Sequence, residues 1–349
     1  MNVAALTLAL AYAAQPAPPQ APPAVPVLHE IATSADQWTG IAISKSGRIF
    51  VNFPRWSEKL PMSVAELVEG KAVPFPDAAW NAWDGKGKPR GFACVQSVVV
   101  DDQDFLWVLD PANPRFQGVL PSAPVLYKFR LADRALVATF RFPPDAWVAS
   151  SYMNDVRVDT RREVAYVSDS GAAAIVVIDL KSGTFRRLLD RAAVTQASRT
   201  SLRVAGQVWK NTVNVDGIAL DASGDFLSFS ALTGDILYRV PTRALLDRTL
   251  SEAALMREVE RVANIGAADG MLFGRDGRLY FGGLESSSVE VLIPPERVET
   301  VVADPRIRWA DSFAEDVAGN LYFTTSQIHL PPPQRGRYAI YRIDAAALR

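Results

Sequence analysis

The sequence predicts an all-β protein, a six-bladed β-propeller whose ring closes by pairing strands from the N- and C-terminal ends of the chain. Three observations carry this expectation. First, Val213–Pro241 (VNVDGIALDASGDFLSFSALTGDILYRVP) reads as three short strands. They are separated by turns at Asp221–Gly224 and Thr233–Asp235, and Pro241 ends the third. Such a meander cannot bury both its faces alone and must stack on copies of itself. Second, the copies are present. With Asp216 as position zero, a glycine follows at +8 and a large apolar residue near +11. The same frame fits Thr39 (Gly47, Phe50), Asp269 (Gly277, Tyr280) and Asp311 (Gly319, Tyr322). It fits Gln96 with Asp104 in the glycine place and Trp107 at +11, and Asn154 with one extra residue and Tyr166 at +12. The intervals between these six residues are 57, 58, 62, 53 and 42, blade-sized once loops are included. Third, Val27–Ser34 looks like a lone strand before the first unit and Arg337–Ile343 like one after the last. The short final interval suits a sixth blade that borrows the N-terminal strand.

Residues 1–26 are set apart from the fold. Val3–Ala14 is apolar, with small residues around Ala11–Ala13, and resembles the hydrophobic region and cleavage site of an export signal that lacks its basic start. It is too short to span a bilayer. Pro16–Pro26 is a stiff, solvated linker. Residues 27–349 are expected to form one propeller domain of a secreted or periplasmic protein, a monomer without a membrane span. Two long insertions, Asn52–Phe92 and Ala193–Trp209, interrupt the units; long ordered loops on a rigid scaffold often carry binding residues.

The composition narrows the function classes. The chain has 349 residues, 49% of them hydrophobic and 21% charged, enough for a large core. A net charge of −1 without a basic run argues against a nucleic-acid surface. Cys94 is the only cysteine, so no intramolecular disulfide forms; its apolar strand (FACVQSVVV) makes it a buried small hydrophobe. His29 and His329 are the only histidines, and neither lies near a Ser or Cys motif, which excludes a histidine-based triad. No CxxC, HExxH or Walker pattern occurs.

Four blocks of sequence, GIAISKSGRIFVNFPRW, CVQSVVVDDQDFLWVLD, MNDVRVDTRREVAYVSDSG and VDGIALDASGDFLSFSAL, resemble the major royal jelly protein/yellow family. Their order matches as well, as does FPPD at Phe142–Asp145. The resemblance covers about residues 29–345. It implies a six-bladed propeller and a secreted protein. Family members include pigmentation proteins, nutritive proteins and salivary binders of biogenic amines, and bacterial relatives are described as dopachrome-tautomerase-related. The animal proteins usually carry disulfides, which this chain cannot.

In a propeller the inner strands all start at one mouth of the central channel. Thr39, Gln96, Asn154, Asp216, Asp269 and Asp311 should therefore converge on one axial cup, with Trp38 beside Thr39 as its aromatic wall. Three carboxylates and two amides around one cavity suit a hard cation, Ca²⁺ being the divalent ion such a set would take as cofactor. They also suit a cationic amine held by carboxylates and aromatic walls. The metal ligands would be Asn154 and Asp216, by their similarity to the Asn and Asp that hold a cation in gluconolactonase/regucalcin-type propellers. This chain departs from that pattern: Asp155 stands where a glycine follows the Asn, and Thr39 stands where the first blade supplies a Glu. The missing carboxylate puts lactone hydrolysis in doubt. An Asp or Asn at a strand head can also simply cap a turn. Asp110, Asp155 and Asp169 read as turn and blade-edge residues, and Arg55 as a brace for the long loop. Three functions follow: a small-molecule binder for an amine or catechol-like metabolite, a metal-dependent hydrolase or isomerase, or a structural or interaction propeller.

Overall fold

A computed structural model of the chain describes residues 28–58, 60–83, 85 and 91–348. The export-like segment and linker at 1–26 lie outside the described residues. Among the described residues, six four-stranded antiparallel sheets follow one another along the chain. Five are simple meanders, the innermost strand first. In the sixth, the strands Ala310–Glu315, Leu321–Thr325 and Tyr338–Ile343 are completed by Leu28–Ser34, which pairs with Tyr338–Ile343. The protein is a six-bladed propeller closed by its two ends.

The packing shows why the blades must be six in a ring. Both faces of each inner blade are apolar, so each blade buries one face on its predecessor and one on its successor. Six apolar clusters result among the described residues, one at each junction. Phe50 and Phe75 of blade 1 meet Leu106 and Phe129 of blade 2. Trp107 and Leu109 of blade 2 meet Val167 and Ile178 of blade 3. The same pattern runs through the junctions of blades 3 and 4, 4 and 5, and 5 and 6. The last junction packs Tyr322 and Ile340 of blade 6 on Ile41 and Val51 of blade 1. The +11 aromatics Phe50, Trp107, Tyr166, Tyr280 and Tyr322 are all buried in these junctions, as expected.

The turn after each inner strand has one backbone geometry in all six blades. Gly47, Asp104, Glu163, Gly224, Gly277 and Gly319 have φ of 79°, 65°, 54°, 73°, 79° and 83°. Glycine adopts this left-handed conformation without penalty. Asp104 and Glu163 adopt it too, so the frame persists where its glycine is lost.

The long connection at 52–92 is partly blade. It contains the two outer strands of blade 1, Val64–Val68 and Lys71–Pro74, and a short helix, Ala78–Asn81. Among its described residues, those that line the channel mouth are Pro54, Trp56, Ser57 and Leu60. The insertion before blade 4 holds a separate hairpin, Ser201–Val204 with Gln207–Lys210. No helix among the described residues is long and apolar enough to cross a membrane.

Candidate functional site

The inner-strand heads converge on a cavity of about 570 Å³ at one mouth of the channel. Five of the six position-zero residues line it: Gln96, Asn154, Asp216, Asp269 and Asp311. Two local features aim them there. Register breaks fall between Met153 and Val156, Val215 and Ile218, and Ala310 and Phe313. These bulges take Asn154, Asp216 and Asp311 off the ladder and turn their side chains inward. Glycine follows Asp216 and Asp269, and a Cβ on Gly217 or Gly270 would collide with the carbonyl oxygen of Asp269 or Asp311 respectively. Neighbouring strand heads can therefore close up, and the three carboxylates share one floor.

Thr39 and Trp38 do not line the cavity. Thr39 is buried beneath it, where its hydroxyl accepts from Asn52 Nδ2 at 2.9 Å. Trp38 is 1% exposed and packs into the blade 6–blade 1 core, 6.2 Å from the Phe53 ring. The reason for the correction is packing: the Trp38 indole is taken up by the blade 6–blade 1 core, while in the loops leading into the inner strands three of the six residues two steps before position zero reach the cup. The residues at −2 include Gln37, Tyr152 and Trp309, and all three line the cavity. Extending the frame two residues upstream would have found them. The other aromatic walls are Tyr338, at the start of a blade 6 strand, and three residues from connections between strands, Trp56 and Phe116 on one side and Trp209 on the other. Phe116 stacks against Trp56 at 5.8 Å and Tyr152 at 4.7 Å. Trp209, on the inserted hairpin, meets Trp309 edge-on at 4.9 Å.

The floor is acidic and sparsely solvated. Asp216, Asp269 and Asp311 are 3%, 7% and 4% exposed. Asp216 accepts from Asn154 Nδ2 at 2.5 Å, Asp269 from the Trp309 indole at 2.6 Å and Asp311 from the Ser312 hydroxyl at 3.2 Å. Burial is the main force on all three, and it favours the neutral acid. It pushes Asp216 well above the usual carboxylate range, helped by the charges of Asp311 and Asp155. Burial, then Asp311 and Asp216, does the same to Asp269. Asp311 is pushed up to about 7, chiefly by burial. Such a floor holds protons, or it holds a cation that replaces them. Among the described residues, Arg335 is the only basic side chain lining the cavity; it donates to Gln37 Oε1 at 3.0 Å and to the Leu330 carbonyl at 2.8 Å.

Other sequence readings find their places. Asp110 accepts the amides of Ala93, Cys94 and Ala112, and Asp169 accepts those of Tyr152 and Ala172. Both hold the chain leading into an inner strand. Arg55 braces its loop, donating to the Ala93 carbonyl at 2.8 Å and lying 4.7 Å over the Trp83 ring. Burial drives the Cys94 thiol up to about 12, so it is inert. Asp155 differs from expectation: it faces the channel below the cup, bonded to Ser97 at 3.0 Å and Arg157 at 2.7 Å. Arg157 reaches across to the Met271 carbonyl at 2.8 Å and bars the channel between the cup and the far mouth.

A family model described as "Major royal jelly protein" matches residues 93–301. The chain belongs to the major royal jelly protein family. Among curated major royal jelly proteins, number 6 of Apis mellifera is 23% identical over 224 residues, 62% of this chain and 50% of that one. The chain thus spans about half the length of the curated family members it matches. Solved structures extend the likeness of fold beyond the family. A gluconolactonase of Xanthomonas campestris superimposes with a TM-score of 0.59 at 13% identity, over 92% of this chain and 90% of that one. The calcium-binding protein regucalcin of Agrobacterium tumefaciens gives 0.53 at 13%, over 90% and 93%. At these identities the likeness is one of fold alone.

Proposed function

We propose that this member of the major royal jelly protein family binds a small organic cation, an aromatic amine, in its axial cup. One observation carries the reading: three buried carboxylates, Asp216, Asp269 and Asp311, form the floor of a cavity walled by Trp56, Phe116, Tyr152, Trp209, Trp309 and Tyr338. An ammonium group on that floor neutralises charges that otherwise repel one another. Its ring is received by aromatic faces, which attract cations and bury apolar surface. The test is calorimetric titration of tyramine and dopamine against their N-acetylated, uncharged counterparts. The amines should bind and the acetylated forms should not. Equal binding of both would refute the cationic site, and binding of neither would favour a structural or interaction propeller.

The apolar segment near the N-terminus supports export as part of the same reading, since extracellular amines would then be the natural ligands. Fractionation of a producing bacterial culture checks this; protein confined to the cytoplasm would exclude it.

A further inference from the structure

Five side chains form one continuous run of hydrogen bonds along the wall and floor of the cup. The Trp56 indole N–H donates to the Tyr152 hydroxyl at 2.7 Å. That hydroxyl donates to Gln96 Oε1 at 2.9 Å. Gln96 Nε2 donates to Asn154 Oδ1 at 3.0 Å. Asn154 Nδ2 donates to Asp216 Oδ2 at 2.5 Å and to the Ser170 hydroxyl at 3.1 Å.

The direction of this run is not free. An indole nitrogen only donates. The Tyr152 oxygen therefore accepts a hydrogen bond from Trp56, and its own O–H donates to Gln96. The other group near it is the Cys94 sulfur at 4.0 Å, a poor acceptor. Gln96 must then turn its oxygen to the tyrosine and its nitrogen to Asn154. Asn154 in turn offers its oxygen to Gln96 and its nitrogen to Asp216. A choice made at the loop is thus transmitted across blades 2 and 3 to the carboxylate of blade 4.

We propose that Trp56 is a positioning residue that fixes Asn154 as a hydrogen-bond donor to Asp216, and that the cup is thereby built to receive an organic cation and to refuse a divalent metal ion. Ca²⁺ and similar ions take oxygen ligands. As held here, Asn154 turns an NH₂ group toward the carboxylate with which it would have to share the ion. To reverse it, both amides must rotate. The Tyr152 hydroxyl has a second lone pair and could accept from Gln96 Nε2, but its own O–H would then be left with only the Cys94 sulfur at 4.0 Å as acceptor. Among the described residues, no group of three or more His, Cys, Asp or Glu side chains is arranged to hold a metal ion. The pair Asn154 and Asp216, expected from the sequence to ligate a cation, does not fit one. The organic-cation half of this inference rests on the amine reading above; the refusal of metal stands on the hydrogen bonds.

Neutron diffraction from deuterated crystals tests the direction itself. Deuterons should lie on the Asn154 atom that faces Asp216, and an oxygen there overturns the proposal. Titration with MnCl₂ and CaCl₂ tests the consequence. The wild type should show no saturable binding and no rise in Tm. Trp56→Phe keeps a ring against Phe116 but removes the donor, so both amides can turn. It should show saturable Mn²⁺ binding and a rise in Tm where the wild type shows neither. Tyr152→Phe interrupts the same run one step later and should give the same gain, a response that simple loosening of a loop would not produce. Wild-type metal binding that is lost in Asn154→Ala overturns the proposal, as does the absence of a gain in both folded variants. If tyramine fails to bind while the deuterons and the Mn²⁺ responses are as stated, the ligand assignment falls and the role of Trp56 stands.

Discussion

Aspartates stand at both ends of the propeller's inner strands, and the two ends use them differently. At the far end, five residues after position zero, are Asp101, Asp159, Asp221 and Asp316. Each is saturated with local donors. Asp101 accepts the amides of Gln103 and Phe105 and the Trp107 indole, at 2.9, 2.9 and 2.8 Å. Asp159 accepts the amides of Arg161 and Arg162, each at 3.0 Å, and pairs with the Arg162 guanidinium at 2.7 Å. Burial would raise Asp159, but Arg162 and the backbone outweigh it and hold the group below the usual carboxylate range. At the cup end, Asp216, Asp269 and Asp311 are as buried as Asp101 and Asp159, yet each carboxylate has few donors and faces other carboxylates. Burial alone does not separate an anchoring acid from a binding one. The number of donors committed to each oxygen does.

Mutations at the two ends should divide accordingly. The largest effect on stability is expected at the far end: Asp159→Ala strands two backbone amides and Arg162, and should cost about 2–3 kcal/mol. Urea unfolding would show it as a lower midpoint at constant m-value, with tyramine affinity of the folded protein unchanged. At the cup end, Asp269→Asn should weaken tyramine tenfold or more, about 1.5–3 kcal/mol, while leaving the urea midpoint unchanged or higher. A lower midpoint comparable to that of Asp159→Ala would erase the distinction between the two ends.

Acidity gives a smaller effect with a definite sign. Asp311 titrates near 7 in the folded protein, above its unfolded value of about 3.9. The folded state therefore holds a proton that the unfolded state has released, and stability falls as pH rises between those values. The ligand-free protein should lose Tm from about pH 4 to 7 and level off above, with a shallower slope in Asp311→Asn. Tyramine affinity should rise over the same window as the floor ionises, provided the amine stays protonated; a flat affinity profile would separate Asp311 from the ligand. The smallest effect is expected at the rim. Among the described residues Arg335 is the lone basic one of the lining, so Arg335→Gln should weaken tyrosine, which carries a carboxylate, by about threefold relative to tyramine, which does not.

Most of the ring was legible in the sequence because a blade cannot bury its faces without its neighbours, and that need repeats. Position zero, the +8 turn and the +11 aromatic each answer to it. The floor acids were legible for the same reason. The walls were only half legible. Tyr152 and Trp309 stand two residues before position zero, one beyond the place given to Trp38, in the loops that lead into the inner strands. Trp56, Phe116 and Trp209 arrive on insertions with no repeat to place them. Thr39 was counted in the ring by its frame, but Asn52, which consumes its hydroxyl, lies on the partner strand outside the frame. The polarity of the amides could not be read at all, since it is set by an indole three blades away from the carboxylate it serves.

The closure of the ring has a consequence in time. His29 and Asp344 meet at 3.1 Å although 315 residues separate them. Leu28–Ser34 leaves the ribosome before the first five blades and Tyr338–Ile343 after them, so blade 6 is completed only once those five have been made. Until then Leu28–Ser34 waits with its edge unpaired, and the ring remains an open arc with an apolar blade face at each end. Contacts of such long range are slow to form, and unpaired edges invite the wrong partner. A propeller joined this way is most exposed to misassembly in the interval between its last strand and its first.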